Sequence, residues 1–284
     1  MKTHYIRLIT LIVLLSLLQI SAFAARESIF EPVEDAGYFA YQEDDAFEGQ
    51  IPTADEFFGI PLGQRFTPHR DVMDYCQLLA EKSPRVALQK YGESAEGRDL
   101  VLLMISSAEN IENLEAIRQA QMLLSDPSEL QRQKGGDLEG VLKDLPAVVW
   151  LSYNVHGDES SATEAALATM HQLVDGKGER WDLIRRNTMV IVDPLLNPDG
   201  RERYLQWYNS VRAHPADPNP MAREHSPPSP SGRTNHYYFD LNRDWAWQSQ
   251  PETRQRIVEY LRWQPLVHVD FHEMSPSSTY FFFP

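Results

Sequence analysis

Five short runs of continuous apolar residues, at 100–105, 147–153, 189–193, 266–271 and 279–283, alternate with stretches of helical periodicity. A strand that is apolar at successive positions is buried on both faces. Helices must then cover both sides of a shared sheet. The fold class is α/β, with a mixed, mostly parallel central sheet. The helical stretches are 71–82, with Val72, Tyr75, Cys76, Leu79 and Ala80 on one face, then about 161–173, 182–187 and 251–263. Thr67 is placed to cap the first of these, with Pro68 at its first position. Two segments read as loops. Residues 126–146 are polar and contain glycine, and 214–235 hold Pro215, Pro218, Pro220, Pro227, Pro228 and Pro230. A structureless loop of that length inside a compact domain is usually functional.

The N-terminus is of another kind. Lys2 and Arg7 precede an apolar run at 8–20, and Ala22-Phe23-Ala24 follows. A charged start, a short apolar run and a small-residue site describe a secretory leader. The run is shorter than the ~20 residues of a membrane span. Cleavage after Ala24 is expected, with export to a periplasm, cell surface or medium and no membrane association afterwards. Residues 25–66 then read as an acidic extension too short for a compact domain, and 67–284 as one large domain. The chain carries 41 acidic and 26 basic residues, a net charge of −15. Nucleic acid is therefore excluded as a partner, because phosphate binding needs a basic face. The single cysteine, Cys76, excludes a disulfide framework within the chain and a Cys-type zinc finger.

The run at 147–153 leads into Asn154-Val155-His156-Gly157-Asp158-Glu159. In open α/β sheets ligands bind at the carboxyl ends of strands. His156 and Glu159, with a histidine from a distant strand end, would make a His₂Glu catalytic zinc set that leaves one position for water. His272 leaves the strand at 266–271, and His268 competes with it from deeper in the same strand. His171 reads as a structural histidine in mid-helix. His69, His214, His225 and His236 read as solvated, in loops or near helix starts.

Five motifs occur in order: Gly92…Ser94…Glu96-Gly97-Arg98, His156-Gly157-Asp158-Glu159, Asn197-Pro198-Asp199-Gly200, Asp240-Leu241-Asn242-Arg243-Asp244-Trp245 and Asp270-Phe271-His272. Together they resemble the M14 family of zinc metallocarboxypeptidases, over about residue 67 to the end. The resemblance implies a carboxypeptidase-like domain at 67–284 and one zinc ion per chain on His156, Glu159 and His272. It implies that Asp240 orients His156, since a ligating imidazole wants its other N–H held. Asn242 and Arg243 would grip a substrate's terminal carboxylate, for which a planar guanidinium is suited. Arg233 would polarise the scissile carbonyl and stabilise its oxyanion. The bland alternative for Arg243 is an ion pair with Asp244. Asn197-Pro198-Asp199-Gly200 reads as a turn.

The family pattern also needs a glutamate base well downstream of the third ligand. Only twelve residues follow His272, so no general base is expected within this sequence, and the frame is expected to continue. A chain ending there should hold metal and turn over slowly. Glu273 is a weak substitute, because the next residue of a strand points to the opposite side. Asp158 puts a negative charge where some relatives carry arginine. The leading expectation is a secreted metallocarboxypeptidase acting on peptide or protein C-termini, cell-wall peptides among them. The alternatives are an amidoacid deacylase on the same metal site and an inactive peptide- or glycan-binding module.

Overall fold

The computed structural model describes residues 46–143 and 145–274. The leader, residues 25–45 of the acidic extension and the strand expected at 279–283 lie outside the described residues. Among the described residues five strands form one sheet: β1 (Val86–Glu93), β2 (Asp99–Ile105), β3 (Ala147–Ser152), β4 (Thr188–Asp193) and β5 (Val267–Asp270), in the order β1-β2-β4-β3-β5. β3 runs parallel to both of its neighbours, β4 and β5. β2 is antiparallel to β1 and to β4. The sheet is thus mixed, with parallel and antiparallel pairings in equal number rather than mostly parallel. One of the two antiparallel pairings follows from the turn at Glu96-Gly97-Arg98. It closes a β1–β2 hairpin, with Gly97 at a left-handed φ of 77°, and a hairpin can only be antiparallel.

Alternate residues of β1 to β4 feed two separate cores, which puts helices on both faces. One core joins Val101, Leu103, Ile105, Val190 and Val192 to Val72, Tyr75 and Leu79 of α2 (His69–Lys82) and to Ala162, Ala166 and Met170 of α7 (Ser161–Asp175). The other joins Leu102, Met104, Val148, Trp150, Met189 and Ile191 to Ile117 of α4 (Leu114–Ser125) and Trp263 of α10 (Pro251–Trp263). The remaining helices are α1 (Ala54–Phe58), α3 (Ala108–Glu112), α5 (Pro127–Lys134), α6 (Leu138–Leu142), α8 (Glu179–Asn187) and α9 (Pro198–Val211). No helix of the described residues is long and apolar enough to cross a membrane.

Several local expectations change. The segment 126–146 is not a plain loop. Asp126 caps α5, accepting the Ser128 and Glu129 N–H groups, and Asp137 caps α6, accepting the Gly140 N–H. Asn197-Pro198-Asp199-Gly200 is the start of α9 rather than an isolated turn: Asn197 caps it and Pro198 sits in its first turn. Cap and turn share the same residue signature, which hid the helix. Thr67 does not cap α2. Pro68 stands at the cap, and Thr67 gives its N–H and its hydroxyl to Glu164 on α7. From residue 46 the acidic segment belongs to the packed body, where Ile51 and Ala54 join the first core. Residues 214–235 hold only a 3₁₀ turn at Arg223–His225.

Candidate metal centre

β3 ends at Ser152, and the chain turns at Asn154, whose φ of 60° is left-handed. Asparagine tolerates that conformation. Its amide donates to the carbonyls of His156 and Glu159, at 3.0 and 2.8 Å, and so ties both ends of the H-x-x-E segment to one side chain. Asn197 donates to the carbonyls of Val155 and Arg233. Gly157 packs against the start of α9. A β-carbon there would lie 2.2 Å from the Arg201 nitrogen and 2.3 Å from the Gly200 carbonyl carbon. Two of the five motifs therefore share a backbone contact that no side chain can enter. A third joins them at Asp199, which is buried and accepts from Ser94, Arg98 and the Glu96 N–H.

This loop delivers His156 buried, with its Nδ1 2.7 Å from Glu159 Oε1 and its Nε2 3.1 Å from Asp240 Oδ1. His272 arrives just past the end of β5. Its Nδ1 lies 3.1 Å from Glu159 Oε2 and its Nε2 3.2 Å from Asp270 Oδ2. Ligand atoms of His156, Glu159 and His272 all lie within 4.8 Å of one another. Burial alone would raise the Glu159 carboxyl, but hydrogen bonds from His156 and His272 hold it down to about 2. Asp270 and then Glu159 push the His272 imidazole up to about 10, against the effect of burial. The donor set fits zinc. Two imidazoles and a carboxylate converge, and each imidazole turns its other nitrogen to a separate carboxylate.

The other expected residues lie around this point. Asp240 takes Arg233 on its second oxygen, at 3.0 Å from Nη2 and 3.2 Å from Nε, while Arg233 Nη1 is 3.4 Å from His156 Nδ1. Burial opposes the Asp240 charge, yet His156, the Asn242 N–H and Arg233 hold its carboxyl below the usual range. Asn242 Nδ2 is 3.3 Å from His272 Nε2. Arg243 is exposed, and its guanidinium donates to the Asn242 carbonyl. It does not pair with Asp244, whose carboxylate accepts from Ser249 and Gln250 instead.

His268 stays outside the cluster, with its Nε2 3.1 Å from the Ser152 hydroxyl. Glu273 is committed elsewhere: its Oε1 accepts both the N–H and the hydroxyl of Ser161 at the start of α7. Asp158 accepts from Ser231 in the proline-rich loop. His171 is buried against the Ile51 carbonyl. His69 is not solvated. Its Nε2 lies 2.8 Å from the Asp99 carbonyl, and burial lowers its pKa. The sequence does not mark Asp270 as a site residue, yet its carboxylate holds His272. Its signal is a carboxylate two residues before a strand-end histidine, hence on the same face.

A family model described as "Zinc carboxypeptidase" (Peptidase_M14) matches residues 72–277. The chain therefore belongs to the M14 zinc carboxypeptidase family. No curated protein matches it. Among solved structures it is similar to carboxypeptidase A from Helicoverpa armigera, at 19% identity and a TM-score of 0.48, over 78% of this chain and 48% of that one. It is also similar to thrombin activatable fibrinolysis inhibitor, at 14% identity and a TM-score of 0.49, over 75% and 48%. A third is a metallo-carboxypeptidase from Burkholderia cenocepacia, at 15% identity and a TM-score of 0.42, over 72% and 40%. The aligned part is less than half the length of each of these structures.

Proposed function

We propose that this protein is a zinc-dependent carboxypeptidase that removes residues from peptide C-termini. The carrying observation is the convergence of His156 Nδ1, His272 Nδ1 and Glu159 next to Asn242 and an exposed Arg243. His156, Glu159 and His272 would hold the metal. Zinc held there supplies Lewis acidity toward a carbonyl oxygen and activates water for hydrolysis. Arg243, free of any ion pair among the described residues, can bind both oxygens of a terminal carboxylate. Asn242 adds an amide donor from beside His272. Arg233 reaches the centre with one guanidinium nitrogen while Asp240 anchors the other two, which suits it to meet negative charge developing on a carbonyl oxygen. Glu273 is assigned no proton-transfer role, because Ser161 engages its carboxylate. Export through the leader is proposed with this reading; N-terminal sequencing of the exported protein should begin at Ala25.

The test is hydrolysis by the full-length zinc-loaded protein of an N-blocked dipeptide and of its C-terminal amide. The free acid should be cleaved and the amide spared. Arg243→Ala should raise KM for the acid and narrow the difference. Equal cleavage of both by the wild type would exclude an exopeptidase, and substoichiometric zinc on metal analysis would exclude the centre.

A further inference from the structure

Arg256 on α10 is 1% exposed, and none of its three guanidinium nitrogens has a hydrogen-bond partner. Its guanidinium carbon stands 4.3 Å from the centre of the Trp245 ring. Opposite it, three polar residues lie in register at the carboxyl edge of the sheet: Asp193 on β4, Ser152 on β3 and Asp270 on β5. Asp193 and Ser152 continue the alternation of Met189 and Ile191, and of Val148 and Trp150, and so share the face that α10 covers. His268, one alternation before Asp270, bonds Ser152 on that same face. Asp193 Oδ1 and Asp270 Oδ1 are buried without partners as well. The Arg256 charge acts on Asp193 and on His268, and both also feel Asp270.

Arg256 thus shares the end of the sheet with buried Asp193, whose second oxygen accepts from Tyr91, with buried Glu252, which acts on Tyr91 together with Arg256 and Asp193, and with the half-buried Asp270. Uncompensated charge in a protein interior is costly, and breaking such a set leaves the remaining member exposed to that cost. Compensation can run directly or through ordered water. The second oxygen of Asp270 faces His272 Nε2, so whatever settles Asp270 also settles the imidazole. Without a cation, Asp193 and Asp270 repel each other across β3.

We infer that Arg256 is a positioning residue of the metal centre, balancing the Asp193–Asp270 row so that Asp270 can hold His272 against Glu159. This deepens the proposed function and rests on its zinc site. An arginine that merely fastens α10 to the sheet would affect folding but not the ligand field of the metal.

The test measures zinc dissociation constants by chelator competition, and the visible spectrum of the cobalt-substituted protein, for wild type, Arg256→Met, Arg256→Lys and Asp270→Asn. Arg256→Met should weaken zinc binding ~10–100-fold, the usual effect of losing an outer support, and shift the cobalt bands. Arg256→Lys should recover most of the affinity. Combining Arg256→Met with Asp270→Asn should be no worse than Asp270→Asn alone, since both act along one path. A folded Arg256→Met protein with wild-type affinity and spectrum overturns the inference, and so do losses that simply add. If Arg256→Met does not fold, the same cycle with Arg256→Gln, which also removes the charge, decides, and additivity or no loss again overturns it. A wild type that binds no zinc defeats the proposed centre and this inference together, and needs no variant to show it.

Discussion

The two histidines that face Glu159 stand on supports of different kinds. The His156 side chain is 3% exposed, in a loop pinned by Asn154, by Asn197 and by the backbone contact at Gly157. The His272 side chain is 32% exposed and follows a four-residue strand. Each half has a buried arginine behind it. Arg201, behind the loop, donates to the Thr67 and Ser160 carbonyls and to Glu164. Arg256, behind the strand, donates to nothing. The loop half is therefore held by packing and by satisfied hydrogen bonds alone. The strand half relies on longer-range charge balance and on the stack of Tyr153 with Phe271, whose ring centres are 4.1 Å apart. Half of this centre is preformed by the fold, and the other half is completed by electrostatics.

The strongest way to break the loop half is Gly157→Ala, because the added carbon meets backbone on two sides. We expect a loss of about 3 kcal/mol or more in urea unfolding, the upper range for overpacking a rigid site. A loss below about 1 kcal/mol would mean that the loop is not rigid.

The strand side should instead respond to pH. Burial pushes the Asp193 carboxyl up to about 7, with Arg256 opposing. An acid whose folded pKa lies above its unfolded value favours the folded state while neutral. That contribution is full below about pH 4 and is lost as pH rises through about 7. The stability of Asp193→Asn relative to wild type should therefore shift in the variant's favour by on the order of 2 kcal/mol from pH 5 to pH 8. Thermal melts across that range check it, and parallel curves would remove the charge argument.

Next come the two carboxylates behind the imidazoles. Asp240→Asn and Asp270→Asn should each weaken zinc about 10–100-fold in chelator competition. The larger loss should fall on Asp270→Asn, since His272 has less packing to keep its orientation. The reverse order would invert the comparison. The smallest effect is Glu273→Gln. It weakens the cap of α7, for about 0.5–1 kcal/mol in unfolding. Turnover on free-acid peptides should stay unchanged, and a drop of tenfold or more would return Glu273 to the chemistry.

Sequence by itself determined the α/β class, four of the strands and the identity of the converging residues. Apolar runs buried on both faces admit few architectures, and His, Glu and Asp at strand ends have few other reasons to sit there. It missed β1, because a strand of half-exposed residues carries no apolar run. It missed α9, because an Asn cap followed by proline looks like a turn. Only the tertiary structure separated His272 from His268, which share a strand face and differ in height above the sheet. Only it moved Glu273 onto Ser161, released Arg243 from Asp244, and set Asp270 and Arg256 behind His272. Each of these depends on groups far apart in the chain meeting at one edge of the sheet, and periodicity along a sequence carries no record of such distances.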